Sequence, residues 1–294
     1  MRPFPVLKNY HGYLMFELAI SLTVLMVLMQ FLLPLVSHVR DQASTKERLL
    51  QRVRLTNAVM DHFQSQLAPI FFKGCGKGES LTIEIGSATG TLPDRISSKD
   101  LMAQSDWLVA SHNGVCSYPM SFNTLSPTLA YVCDWDEGER VTFSSCYGEA
   151  SGVINEVNTK DTLLHFSDGA LLGESGILLS EQGFIWYVAQ GMDAAAFWRT
   201  PSESGNSLEL WSGISKLAVY PLLDTDQSGR LDQLKSDYGL YPLNQIKGVW
   251  LELMVIQANC DVNTSNNEAI YTSHRGEVWR YNPSCEFPLS FIVS

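Results

Sequence analysis

The chain has 294 residues, a formal charge of −11 and a pI near 5.0. That balance argues against a nucleic-acid grip by electrostatics alone, which needs a basic face. Apolar residues make up 45% of the chain. Once the N-terminal run is set aside, the composition is that of an ordinary soluble fold.

Residues 1–12 form a polar leader with Arg2, Lys8 and His11, ending at Gly12. From Tyr13 to Val36 the chain is apolar, and Glu17 is its only charged side chain. A charge at the centre of a bilayer-length helix costs roughly 2.5 kcal/mol or more. Glu17 therefore asks for a partner: a carboxyl is tolerated there when protonated or paired with an amine. The run is long enough to span a bilayer with some tilt, and the basic leader suits the cytoplasmic side. A secretory signal peptide has its small-residue cleavage site after the apolar stretch, whereas Gly12 precedes it.

Val36, Val39, Ala43, Leu50, Val53, Val59, Phe63 and Leu67 continue in steps of three and four, with two skips. Arg40, Lys46, Glu47, Arg48, Arg52 and Arg54 fall on other faces, and Pro69 ends the pattern. The spacing predicts one helix over about 13–68, roughly 80 Å long at 1.5 Å per residue. Its second half is expected to pack on a globular head. Pro34 removes one helical hydrogen bond and is expected to kink or loosen the helix.

The remainder reads as strands and turns. Leu81–Ile85 alternates, and Trp107–Ala110 and Tyr131–Cys133 are short apolar runs. Ile177–Leu179 and Phe184–Ala189 read as a hairpin around Glu181-Gln182-Gly183. Leu208–Trp211, Leu217–Tyr220 and Val249–Ile256 are the strongest later strands, and Val278–Tyr281 and Leu289–Val293 close the chain. Residues 140–176 are weakly patterned. The expected fold is α+β: a long N-terminal helix packed on an antiparallel sheet.

Six cysteines, Cys75, Cys116, Cys133, Cys146, Cys260 and Cys285, all follow the apolar run. An even count in an exported chain favours disulfides. Zinc is disfavoured, because no CxxC occurs and the histidines are scattered. The stretch Asp224-Thr225-Asp226-Gln227-Ser228-Gly229-Arg230-Leu231-Asp232 places oxygens at alternate positions around a glycine. An EF-hand-type loop takes Ca²⁺ through side chains at positions one, three, five and nine and a carbonyl at seven, here Asp224, Asp226, Ser228, Asp232 and Arg230. The twelfth position is Lys235 where a bidentate Glu belongs, so another residue such as Asp237 would have to complete the shell. The plain alternative is a solvated Asp/Ser/Gly turn.

Gly before the apolar run, aromatic Tyr13 after it and Glu17 five residues beyond Gly12 resemble the processing site of type IV pilin-like proteins. The resemblance implies cleavage between Gly12 and Tyr13 by prepilin peptidase, which also methylates the new N-terminus. It pairs Glu17 with the Tyr13 amine of the same or a neighbouring subunit, fixing axial register in a filament. Pro34 matches a proline common in thick-filament pilins. In the head, Leu210–Tyr220, the acidic loop and Ile246–Leu253, preceded by Phe184–Val188 and Phe197-Trp198-Arg199, look like PilW-type minor pilins. Pro221 and Leu223 depart from the usual Tyr-Gly step into the loop.

The implied organisation is a leader (1–12), a transmembrane half-helix (13–36), an amphipathic half-helix (37–68) and a β-rich periplasmic or extracellular head (69–294). Pairings of Cys133 with Cys146, Cys260 with Cys285 and Cys75 with Cys116 fit it, one of fifteen connectivities. The implied function is that of a minor pilin that primes assembly and sits at or near the filament tip. Its partners would be other minor pilins, the major pilin, prepilin peptidase and the inner-membrane assembly platform. The chain would start in the bacterial inner membrane, single-pass with the head in the periplasm, and end at the pilus tip on the cell surface. The alternatives are a tip adhesin whose head binds a ligand, a surface or DNA, and a J-like pseudopilin of type II secretion. None of the common hydrolase, metalloprotease or nucleotide-binding signatures occurs, so the reading is not that of an enzyme.

Overall fold

The computed structural model describes residues 11–71, 82–130, 135–226, 228–257 and 268–294. Helix α1 spans His11–Leu67 and passes into a 3-10 turn at Ala68–Phe71, which contains Pro69. Pro34 lies within the continuous helix, and the Ser37 hydroxyl donates to its carbonyl at 2.8 Å.

The chain divides into two compact units, Met1–Asn57 and Ala58–Ser294. In the first, every residue described from Met15 to Arg54 is exposed. The second is the head, and it includes the last turns of α1. Val59, Phe63, Leu67 and Ile70 are buried there. Phe63 stacks on Phe197 with centroids 4.1 Å apart and meets Phe291 edge-on at 6.0 Å. His62 lies against Trp211 at 5.2 Å. Within the head unit the last turns of α1 pack as expected of the amphipathic half. Val36, Val39, Ala43, Leu50 and Val53 share the apolar spacing yet are exposed. Periodicity marks a face able to bury, and in the head Phe197, Trp211 and Phe291 supply the matching surface for the final turns.

Strands β1 (Thr82–Ser87), β2 (Asp106–Ser121), β3 (Thr128–Ala130), β4 (Arg140–Ser145), β5 (Gly148–Val157) and β6 (Asp161–Phe166) are followed by β7 (Ser175–Gln190), β8 (Ala195–Pro201) and β9 (Leu208–Ser212). With β12 (Gly239–Pro242) they make a ten-stranded sheet, ordered β12-β1-β2-β7-β4-β5-β6-β3, with β8 and β9 branching from β7. Among the described residues every pairing in this sheet is antiparallel. A second sheet, ordered β11-β10-β13-β16, joins β10 (Ile214–Leu223), β11 (Gln233–Leu234), β13 (Ile246–Ile256) and β16 (Glu286–Val293). Strands β14 (Ala269–Thr272) and β15 (Val278–Tyr281) form a separate hairpin. The α+β expectation holds.

The hairpin expected around Glu181-Gln182-Gly183 is absent, because β7 runs unbroken through it. On one side β7 pairs with β2 from Ser175 to Leu179 and from Glu181 to Tyr187. On the other side, Ile177–Ser180 pair with β4, and Phe184–Gln190 with β8. The turn-like triplet marks a change of partner, so the sheet forks there. A Cβ at Gly183 would lie 2.1 Å from the Ser202 hydroxyl oxygen, which would have to rotate away.

The weakly patterned stretch 140–176 holds β4, β5 and β6, which enclose an aromatic core of Phe122, Phe143 and Phe166. Phe122 stacks on Phe143 at 5.1 Å and meets Phe166 edge-on at 4.7 Å. Tyr131–Cys133 and Leu81 lie outside the described residues.

Candidate functional site

Three features carry chemistry. The first is the N-terminal half of α1. It is the one helix among the described residues long and apolar enough to cross a membrane. Gly12 and Tyr13 lie in its first turn. Glu17 is exposed, and among the described residues no side chain bonds its carboxylate. The local hydrogen bonds there run from Ser21 to the Glu17 carbonyl (2.9 Å) and from Thr23 to that of Ala19 (2.6 Å), so hydroxyls are satisfied within the helix.

The second feature is the acidic loop between β10 and β11. Asp224 follows β10 directly and is fully buried. Its Oδ1 accepts the Ser228 N–H and its Oδ2 the Gly229 N–H, both at 2.9 Å. Asp226 Oδ1 also accepts the Ser228 N–H, at 3.1 Å. The Asp232 carboxylate takes both the N–H and the hydroxyl of Thr225. Gly229, at φ +85°, makes the left-handed step that lets these N–H groups converge. One ligand oxygen each of Asp224, Asp226 and Asp232 lie within 4.8 Å of one another.

That donor set suits a hard cation such as Ca²⁺. Two observations weaken the fit. The Lys247 ammonium lies 3.2 Å from Asp224 Oδ2, so a cation of the chain already neutralises the deepest carboxylate. Lys235, at the twelfth position, ties its N–H to the Pro221 carbonyl, and Asp237 is not among the gathered carboxylates. Burial opposes the Asp224 charge, but the Lys247 ammonium and the Gly229 N–H outweigh it and hold that carboxyl below its ordinary value. Arg230 N–H donates to the Ser228 hydroxyl at 3.4 Å.

The third feature was not legible in the sequence. Asp106, which opens β2, is 1% exposed. It accepts from the Val219 N–H at 2.7 Å, the Tyr238 hydroxyl at 3.0 Å and Arg275 Nη1 at 2.7 Å. Arg275, in the β14–β15 turn, also donates to the Ser236 carbonyl (2.6 Å) and the Val219 carbonyl (3.0 Å). Its guanidinium lies over the Tyr238 ring at 4.1 Å and the Tyr220 ring at 4.8 Å. Burial raises the Asp106 carboxyl to about 6 despite Arg275.

Beside it the buried Glu252 accepts from Tyr220 (2.8 Å), Tyr271 (2.7 Å) and the His274 N–H (3.0 Å). Burial and the Glu252 hydrogen bond push both tyrosine hydroxyls up. The arrangement joins the two sheets and the β14–β15 hairpin. Asp106 and Glu252 are each held by three hydrogen bonds, so the arrangement clamps β2, β10, β13 and the hairpin together.

Cys146 and Cys285 are disulfide-bonded, and no described cysteine is free. Their partners, and with them the expected 133–146, 260–285 and 75–116 pairings, lie outside the described residues. Of the seven tryptophans, Trp107, Trp135, Trp186 and Trp279 are buried and Trp198, Trp211 and Trp250 half-buried. The tryptophans therefore pack the head.

No family model, no curated protein and no solved structure matches this chain.

Proposed function

We propose that the chain is a minor subunit of a type IV pilus, cut by prepilin peptidase after Gly12 and held in the filament by Glu17. One observation carries this reading. Glu17 is the lone charge in an exposed apolar helix, and no described group of its own chain satisfies it. Such a charge in hydrocarbon is costly, and the N-terminal amine of a neighbouring subunit relieves the cost on assembly. The large acidic head suits a subunit that primes assembly and ends near the tip.

In this reading Asp224, Asp226 and Asp232 hold Ca²⁺ weakly, in competition with Lys247. The protein is a substrate of the peptidase and has no catalytic role of its own.

The test is coexpression with prepilin peptidase, followed by N-terminal sequencing. Tyr13 becomes the first residue, and Gly12→Glu blocks the cut. Retention of Met1, or cleavage beyond Val36, overturns the reading.

A further inference from the structure

The last turns of α1 lie against β8, β9 and β16, and one titratable side chain is caught in that seam. The His62 ring sits 5.2 Å from the Trp211 ring of β9, tilted by 47°. Its Nε2 is buried, with no hydrogen-bond partner among the described residues. A neutral imidazole can leave Nε2 as a bare acceptor. An imidazolium carries a proton on both nitrogens, so the buried Nε2 would become a donor with nothing to accept from it.

The surroundings supply no counter-charge. The one ionisable side chain of β8 is a cation, Arg199. Its Nη1 donates to Gln66, one turn along α1 from His62, at 3.2 Å, and its buried Nε also lacks a partner among the described residues. Glu209 of β9 turns towards the β7–β8 turn, where its Oε2 would lie 2.9 Å from a Cβ at Gly191. Glu286 of β16 bonds Ser215 and the Asn282 N–H. Asp61 is exposed and, as the adjacent helical residue, does not face His62. The Ser294 carbonyl accepts from Gln64, on another face of the helix. Protonation of His62 would therefore add a second cation to a seam that already holds Arg199. Burial already pushes both groups below their ordinary values.

We propose that His62 is an acid-sensitive latch: its neutral ring lets the end of α1 seat on β8 and β9, and its protonation raises the population in which that end is open. The inference goes beyond the filament reading and does not depend on it, since every residue involved lies in the unit Ala58–Ser294. The folded His62 titrates below 6.5, so its contribution is fully present above about 6.5 and is lost as pH falls through the lower folded value. Val59, Phe63 and Leu67 hold the same turns by apolar burial that does not titrate, so acid opens the helix end locally and leaves the sheets folded.

The test is hydrogen exchange of the detergent-solubilised full chain, read by mass spectrometry at residues 58–67 and corrected for the pH dependence of intrinsic exchange, from about pH 7.5 to about pH 4.5. Histidine-selective NMR of the same sample follows the His62 ring, identified by its contact with Trp211. Protection at 58–67 should fall as the ring gains its proton, with a midpoint below 6.5. His62→Gln, uncharged throughout, should hold its protection level over the same range. Asp106 shifts stability in the opposite sense as pH falls, so its titration does not imitate the effect. Should the variant not fold, the wild type decides alone, through the coincidence of ring titration with loss of protection. Flat protection in the wild type, an equal fall in His62→Gln, or a ring that titrates at or above 6.5 overturns the proposal.

Discussion

Replacing Phe63 by Ala tests where the long helix is held. Phe63 is fully buried, stacked on Phe197 and edge-on to Phe291, so the truncation removes an aromatic anchor shared by α1, β8 and β16. A buried Phe→Ala change costs about 3–5 kcal/mol, the transfer loss together with the cavity left behind. For a domain of this size each kcal/mol lowers Tm by roughly 2–4 °C, so a fall of about 8–16 °C is expected at a cost near 4 kcal/mol. Val53, one of the exposed residues in the same apolar periodicity, is the control. Val53→Ala should stay within about 0.5 kcal/mol of wild type, as exposed substitutions do. The assay is thermal unfolding of the detergent-solubilised chain, followed by near-ultraviolet circular dichroism. Equal shifts for the two variants would refute Phe63 as an anchor of the helix end in the head.

Two further predictions concern the polar sites. Asp106 has a folded pKa of about 6, above its ordinary 3.8. Its contribution to stability is therefore fully present below about 3.8 and lost as pH rises through about 6. Asp106→Asn removes that slope, so the stability difference, wild type minus variant, should fall between about pH 4 and pH 7 in urea unfolding; a difference that grows would contradict the assigned burial. At the acidic loop, Lys247→Gln removes the cation beside Asp224 and should tighten Ca²⁺ binding by calorimetry, while Asp224→Ala/Asp226→Ala abolishes it. Calcium at 100 times its Kd adds about 2.7 kcal/mol to a folded state that alone binds it. An unchanged Tm in millimolar calcium for both wild type and Lys247→Gln would leave the loop as an acidic turn.

Much of the architecture was written in local pattern. The apolar run and its 3- and 4-residue continuation placed α1 within two residues of its observed limits, because one chemical period persists over the whole segment. Val249–Ile256 was legible because β13 is buried along nearly its full length. Glu181-Gln182-Gly183 misled because turn-like composition also suits a strand that changes partners, and partners are tertiary information. Strand β5 alternates only weakly in sequence, with Gly148, Ala150 and Gly152 among its residues, so its neighbours decide its fate. The Asp106–Arg275 clamp joins residues 169 positions apart and left no sequence signal. The acidic triad was readable from spacing, but Lys247, which limits its use, arrives from β13.

The central claim is that Glu17 acts between subunits. Recovery of Glu17→Ala in filaments sheared from cells, with total membrane levels held equal to wild type, tests it most directly. The account predicts that the variant inserts and folds normally, with its Tm unchanged, yet is lost from the sheared fraction. Recovery of Glu17→Ala at wild-type levels would contradict it.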